Sequence, residues 1–474
     1  MNGAGSEELS FTFEGRRVPA KRGQSIAGAL HASGVSTLSR GVKYHRPRGY
    51  TCGFGACGDC PLRIDGMPLT VSCTTPVEGG ERVRREGAFP GAGFDLLRTA
   101  DLMRPLLKAG FQFKLFAGQP RLSKLAGAVL AVLAGGGRMP SAAAVARGTI
   151  TRVERLAAPV LVIGGGVSGL AAALAAAEAG HEVVVVDRDF LGGRSQVRTE
   201  QIRNGQTRVR PDRVFPVLLG NAERHPRIRL IRGLAVGLID GLVPVVSERE
   251  GVRTEISPEA LIIATGSYET PILVPGHDLP GAMLADAALK LAAVEGVPPG
   301  RRAVVVDADP RASEVARELS RLGVEVVAQV PAKSVASITG WSRATGVRLR
   351  GSEVEGGVEG GTRSARAARI RADLVCIVGP RRPAEELALH AAYASAGSHD
   401  LVLRDAPALA ARTLVVGTAA GDPEYSLTDI SRRAQQLAGE IGAGSRSDAA
   451  PPQHAAPESR RSADHTTQTS STPE

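Results

Sequence analysis

Cys52, Cys57, Cys60 and Cys73 stand in a C-x4-C-x2-C-x12-C pattern. This is the plant-type spacing that holds a [2Fe-2S] cluster, so the segment must fold as a tight loop delivering four sulfurs to one place. Gly53-Phe54-Gly55-Ala56 and Gly58-Asp59 fill the intervals between the first three sulfurs. Glycine is needed there wherever φ turns positive or a backbone N–H must approach an inorganic sulfide. Zinc is the nearest rival, but structural zinc takes paired C-x2-C knuckles, and only Cys57 and Cys60 form one. A disulfide framework belongs to small secreted scaffolds, which a chain of 474 residues with five cysteines is not.

Length alone suggests about three domains. The opening Met1-Asn2-Gly3-Ala4-Gly5-Ser6-Glu7-Glu8 has no basic region followed by an apolar stretch, so no leader is read and a cytoplasmic location is expected. The longest apolar run, Leu125 to Gly137, is shorter than the roughly 20 residues of a membrane span and is expected to be a buried helix. The formal net charge is +10, but the arginines are dispersed and aromatic residues make up only 3% of the chain. Nucleic acid is therefore not an expected partner, and the charge reads as a solvated surface or a face for an acidic protein.

Along the chain, residues 1–85 read as a β-grasp domain. Leu9 to Phe13 and Arg17 to Ala20 form a hairpin about Glu14-Gly15-Arg16, Ser25 to Ala32 is a short helix, and a second hairpin turns at Asp65-Gly66 and returns Cys73 to the other cysteines. Residues 86–157 read as a helical connector, with apolar positions such as Leu102, Leu106, Phe111 and Leu115, that packs the small domain onto the large one.

Pro159 to Ile163 is then a buried strand, Gly164-Gly165-Gly166-Val167-Ser168-Gly169 a turn, Leu170 to Ala179 a helix, and Val183 to Val186 a second strand closed by Asp187. This is a complete βαβ dinucleotide unit. Gly164 makes the turn, Gly166 admits the pyrophosphate, Gly169 lets helix and strand pack closely, and Asp187 is placed for a ribose hydroxyl. Leu191-Gly192-Gly193-Arg194 and the strand end Ala264-Thr265-Gly266 point to a two-dinucleotide flavoprotein, with FAD as the natural occupant. Arg188 and Gly417 complete the candidate cofactor-binding set. A second βαβ runs from Ala303 to Val327, but its turn, Asp307-Ala308-Asp309-Pro310-Arg311, holds no glycine and carries two carboxylates where a pyrophosphate needs bare N–H groups. Nicotinamide binding is not expected there.

The fold class is thus α/β: a β-grasp [2Fe-2S] domain, then a Rossmann-like FAD domain in two parts, 158–285 and 401–442, around an inserted NAD-like domain, 286–400. From 443 the composition is polar without aromatics, and a disordered tail is expected.

A Cys-x4-Cys-x2-Cys β-grasp, an apolar linker and a double dinucleotide fold, in this order, resemble the alpha subunit of heterotetrameric sarcosine oxidase without its folate-binding C-terminal half. They also resemble the corresponding subunits of hydrogen cyanide synthase, opine oxidase and proline or hydroxyproline dehydrogenases. The stretches that carry the likeness are Arg46-Pro47-Arg48-Gly49, Ser72-Cys73-Thr74-Thr75-Pro76-Val77, Ile262 to Gly266 and Pro280-Gly281-Ala282-Met283. The resemblance implies a complex in which a separate amine-oxidising flavoprotein subunit of beta type removes a hydride and this chain relays the electrons. By position, Cys52, Cys57, Cys60 and Cys73 would bind iron, and Gly164, Gly166, Gly169, Asp187 and Gly266 would line the nucleotide. It further implies FAD or a resident NAD at that site, with FMN at a subunit interface in some relatives. Only Cys376 follows Cys73, so a second cluster is not expected, and Gly417-Thr418 replaces the Gly-Asp pair common on the last strand of related flavoproteins.

Two other function classes compete with this one. A stand-alone NAD(P)H-dependent iron–sulfur flavoprotein reductase would need an intact second glycine turn, which Asp307 to Pro310 contradicts. A non-catalytic redox sensor would keep the cluster without a flavin. No catalytic acid–base set stands out among the nine histidines. His45 reads as a surface or outer residue, because four cysteines already complete the coordination, while Arg46 and Arg48 are either donors near the cluster or simply exposed.

Overall fold

The computed structural model describes residues 8–42, 44–87, 95–101, 139–140, 142–148, 152–188, 191–198, 200–239, 242–247, 251–350, 368–395, 412–422 and 425–444, with a few single positions between 119 and 127. The connector residues Leu102 to Leu115, most of the Leu125 to Gly137 run and the tail beyond Gly444 lie outside the described residues.

The N-terminal unit is a five-stranded mixed sheet in the order Arg16–Lys21, Glu8–Phe13, Arg82–Arg84, Pro61–Ile64, Met67–Val71. Both hairpins close with two positive-φ residues, Glu14 (50°) with Gly15 (82°) and Asp65 (49°) with Gly66 (89°). Such primed turns follow the right-handed twist of the strands they join. The helix Ile26–Ala32 begins at Ser25, whose Oγ accepts the Gly28 N–H, and buries Ile26, Ala27, Ala29 and Leu30.

The first dinucleotide domain is built on a sheet ordered Ile228–Arg232, Val183–Asp187, Arg152–Ile163, Val252–Ile263, Val243–Ser247, Leu234–Ala235, with Thr413–Val415 pairing to Val252–Ile263. Its central strands are parallel and keep one register from the Val252–Arg152 pair to the Ile263–Ile163 pair. Val160 to Val162 are fully buried, and helix Val167–Glu178 covers them with alanines. Small residues let helix and sheet approach closely, so the chain can spend bulk on the strands.

The inserted domain has a four-stranded parallel sheet, Ala282–Leu284, Leu374–Val378, Arg302–Asp307, Glu325–Pro331, and a three-stranded antiparallel sheet, Val335–Gly340, Ala344–Leu349, Arg369–Arg371. The ribbon Ser267–Glu269 with Arg381–Pro383 joins it to the first domain.

The β-grasp unit sits directly on the inserted domain. One core runs through both, with Phe11, Ile26, Leu30 and Leu62 on one side and Met283, Leu289, Val305 and Leu374 on the other. One described stretch of the connector, Asp95 to Asp101, reinforces this: Asp95 pairs with His45 and Arg40, Asp101 with Arg46, and Arg98 covers Trp341.

Candidate functional site

In the cysteine loop, Gly53, Gly55 and Gly58 take φ of 70°, 74° and 71°, the left-handed region that side chains resist. The loop rests on the inserted domain: a Cβ at Gly53 would lie 3.1 Å from Ala287 Cα, and one at Gly49 2.9 Å from Pro280 Cα. Leu284 N–H donates to Thr51 O at 2.9 Å, and Arg48 pairs with Asp278 at 3.0 Å. Two of the stretches that carry the family likeness, Arg46 to Gly49 and Pro280 to Met283, are therefore in contact.

All five cysteines are free thiols; Cys52, Cys60 and Cys73 are buried and Cys57 is exposed. Their sulfurs form a chain, Cys57 to Cys52, Cys52 to Cys73 and Cys73 to Cys60. Hydrogen bonds from Cys57 and Cys73 hold the Cys52 thiol well below its ordinary range, and giving up those protons is correspondingly disfavoured at Cys57 and Cys73. The Ala56 N–H also donates to Cys52 Sγ, at 3.3 Å. Among the described residues no group of three or more His, Cys, Asp or Glu side chains is arranged to hold one metal ion. A binuclear cluster asks something different, two thiolates for each iron. The chain of contacts from Cys57 through Cys52 and Cys73 to Cys60 gathers the four sulfurs that this demand needs.

His45 does not take the first of the two places read for it in the sequence, the surface. It is 2% exposed, takes φ of 51°, and its Nδ1 lies 3.0 Å from Asp95 Oδ2. It fastens the loop ahead of the cysteines to the connector instead of facing solvent.

The dinucleotide turn is equally constrained. Gly164 has φ of 109°, and a Cβ there would fall 2.2 Å from Ala264 O; one on Gly169 would fall 1.8 Å from Gly164 O. Gly166 starts the helix, and Ser195 Oγ accepts the Val167 N–H at 3.1 Å. Asp187 lies over the turn, accepting Gly165 N–H at 2.9 Å and Arg188 N–H at 2.7 Å. Burial pushes its carboxyl up to about 6, against the backbone N–H groups of Gly165, Arg188 and Gly192 that favour its charged form. Around these residues opens a cavity of about 670 Å³, also lined by Arg188, Gly193, Arg194, Ala264, Thr265 and Gly266. That volume suits a dinucleotide. Gly169 and Gly417 serve packing instead: the latter has φ of 65° and a Cβ there would fall 2.3 Å from Ser168 Oγ, while Thr418 lines the cavity.

Sequence reasoning missed several wall residues. Phe54 and Thr74 enter the cavity from the cysteine segment, so the two sites share a wall. The Phe54 ring is faced by the Arg194 guanidinium at 4.7 Å and the Lys290 ammonium at 5.3 Å. Phe54 lies inside the C-x4-C interval, but nothing local announces which partner it meets. Arg198, Arg381, Tyr268 and Tyr425 complete the inner wall, backed by a buried charge network. Arg194 pairs with Asp286 at 3.2 Å, Arg381 with Asp286 at 2.8 Å, Arg198 with Glu200 at 2.6 Å, and Arg311 with Glu269 at 3.3 Å. Burial and the neighbouring Asp286 push Glu269 up to about 8 despite these arginines. Burial works against ionised Glu200 as well, but Arg198, Arg381 and Arg311 outweigh it and hold that carboxyl at about 2.

The second βαβ closes its own turn. Asp309 Oδ1 accepts the Arg311 N–H at 3.1 Å and Nε–H at 2.8 Å, Arg311 Nη2 donates to Gly379 O at 2.7 Å, and Gln329 Nε2 donates to Asp307 at 3.0 Å. Side chains of the domain itself stand at the turn that a pyrophosphate would approach.

Residues 6–87 match the 2Fe-2S iron-sulfur cluster binding domain family, and residues 158–406 match the pyridine nucleotide-disulphide oxidoreductase family. The chain is similar to the sarcosine oxidase alpha subunit of Rhizobium meliloti, 31% identical over 409 residues covering 81% of this chain and 40% of that one. It is also similar to an opine oxidase subunit of Agrobacterium tumefaciens, 31% identical over 178 residues, 35% of each chain. The chain thus spans well under half the length of these relatives. Among solved structures, L-proline dehydrogenase from P. horikoshii shares the fold over 95% of this chain and 76% of that one, with a TM-score of 0.61 at 19% identity. No helix among the described residues is long and apolar enough to cross a membrane. The chain belongs to the pyridine nucleotide-disulphide oxidoreductase family, as an oxidoreductase that joins a [2Fe-2S] domain to an FAD-type fold and resembles the alpha subunit of sarcosine oxidase.

Proposed function

We propose that this chain is the electron-relay subunit of an amine or imino-acid dehydrogenase or oxidase, of the sarcosine, proline, hydroxyproline, opine or glycine type. In this reading Cys52, Cys57, Cys60 and Cys73 hold the cluster, while Gly164, Gly166, Asp187, Arg188, Gly193, Arg194, Ala264, Thr265 and Gly266 hold FAD. A partner flavoprotein subunit carries out the amine chemistry. The observation that carries the proposal is Phe54, which belongs to the cysteine loop and lines the dinucleotide cavity. Together the two cofactors supply exchange between paired and single electrons. The protein's part is positional: Gly53, Gly55 and Gly58 wrap the loop, the cysteine segment supplies Phe54 and Thr74 to one cavity wall, and Arg194 and Lys290 face the Phe54 ring at 4.7 and 5.3 Å. The Arg311–Asp309 pair at the second turn speaks against NAD(P)H as the donor.

The test is an anaerobic visible spectrum of the chain by itself and co-expressed with an amine-oxidising flavoprotein subunit, before and after adding NADH, then sarcosine or proline. Bleaching by the amine only in the co-expressed sample is expected. Bleaching of the lone chain by NADH would replace the relay with a self-contained reductase.

A further inference from the structure

Lys290 belongs to the inserted domain, yet its ammonium lies inside the cysteine segment. Nζ donates to Gly53 O at 2.9 Å and to Cys73 O at 2.8 Å. One carbonyl follows Cys52 directly and the other is that of Cys73. The side chain is 3% exposed, and its counter-charge, Glu295, is fully buried 3.3 Å away. The Glu295 carboxylate also accepts from Tyr50 Oη at 3.1 Å and from the Ser25 N–H and Oγ at 3.0–3.1 Å. The positive end of the pair therefore faces the cysteines, and the negative end faces Ser25 and Tyr50.

The backbone is shaped to allow this. Lys290–Val294 is a π-helical turn, and Glu295 N–H donates to Lys290 O at 3.0 Å. In an α-helix, residues five apart point about 140° away from each other. A π turn brings them onto one face, and such turns recur at functional sites. Burying a lysine and a glutamate costs several kcal/mol of desolvation before their attraction offsets it. Pinning a loop does not require that, since a neutral donor would reach the same two carbonyls more cheaply.

We propose that Lys290 is a positioning residue that raises the reduction potential of the iron–sulfur cluster by holding a fixed positive charge from the inserted domain against the Gly53 and Cys73 carbonyls. The cluster gains one negative charge on reduction, and a buried cation stabilises that form. The inference rests on the reading that the four cysteines hold the cluster, and it goes further by making the cluster's potential depend on the domain it docks against.

The test is a dye-mediated redox titration of the full chain, followed by EPR of the reduced cluster, with iron and sulfide content measured in parallel. Lys290→Arg keeps the charge, Lys290→Gln removes it, and Lys290→Gln with Glu295→Gln removes it without leaving an orphaned carboxylate. In the last two we expect full iron content and a midpoint shifted negative, with the oxidised-to-reduced ratio at fixed poise raised about tenfold, or ~59 mV for one electron, in Lys290→Gln and by less in the double variant, where the negative charge of Glu295 is removed as well. Lys290→Arg should titrate like the wild type. An unchanged midpoint in the double variant at full iron content overturns the proposal, as does loss of iron from all three variants, which would make Lys290 a structural pin. A wild-type chain with no EPR signal on full reduction would overturn the cluster reading itself.

Discussion

At Gly164 the backbone is held at φ of 109° with Ala264 O at 2.2 Å from where a Cβ would stand. Nothing at that contact is a flexible side-chain end, so the strain cannot be relieved locally. Gly164→Ala should cost on the order of 3 kcal/mol and release FAD, measured by urea unfolding and by flavin retained on a desalting column. A variant of wild-type stability with flavin bound would show that the turn can move. Glu269 makes a second prediction through pH. Its carboxyl rises from an ordinary 4.5 to about 8 because burial and Asp286 disfavour the charged form. The folded state then keeps a proton that the unfolded state has lost, so stability falls as pH rises through that window. The wild type should lose stability from pH 4.5 to 8 relative to Glu269→Gln, and the two should converge at pH 4. Parallel melting curves across the range would contradict the assignment.

Among the elements, those fixed by local rules were legible in sequence. The cysteine spacing, the alternating hairpins with Glu14-Gly15 and Asp65-Gly66, and the Gly164 to Gly169 turn each state their geometry within a few residues. The elements that position the site from far away were not. Lys290 sits in Ala287-Ala288-Leu289-Lys290-Leu291-Ala292-Ala293, where helical periodicity would place a lysine on an outer face. Its partners Gly53 and Cys73 lie 237 and 217 positions away, and the π turn sets Glu295 beside it. The burial of His45 is hidden for the same reason, because Asp95 is 50 positions away. The short 3-10 helix Leu96–Asp101 shows how such a distant contact can be probed. Arg98 lies 3.8 Å from the ring centroid of Trp341, which is the chain's single tryptophan and is 62% exposed. Arg98→Ala should remove about 1 kcal/mol of docking and shift the tryptophan emission to the red as water replaces the guanidinium. Unchanged emission would mean that this helix does not rest on the inserted domain in solution.

Across the whole molecule, the cores do not follow the order of the chain. The β-grasp unit and the inserted domain share one continuous core, although some 200 residues separate Leu62 from Leu289 in sequence, whereas Val160, Leu170 and Ile262 of the first dinucleotide domain belong to another. A shared core couples the unfolding of its parts, and separate cores permit separate transitions. The iron–sulfur chromophore should therefore bleach in urea together with the inserted domain, and flavin should be released no later, because Phe54 and Thr74 line its cavity. Glu295 tests the coupling, because it joins Lys290, Ser25 and Tyr50 across the shared face. Glu295→Ala leaves Lys290 buried without its counter-charge, a change that costs about 3–5 kcal/mol. It should move cluster bleaching and the melting of the inserted domain to lower urea together. If the cluster bleached early while the inserted domain kept its midpoint, the two units would be separate bodies in solution. The potential of the cluster could then not depend on a lysine from the other domain.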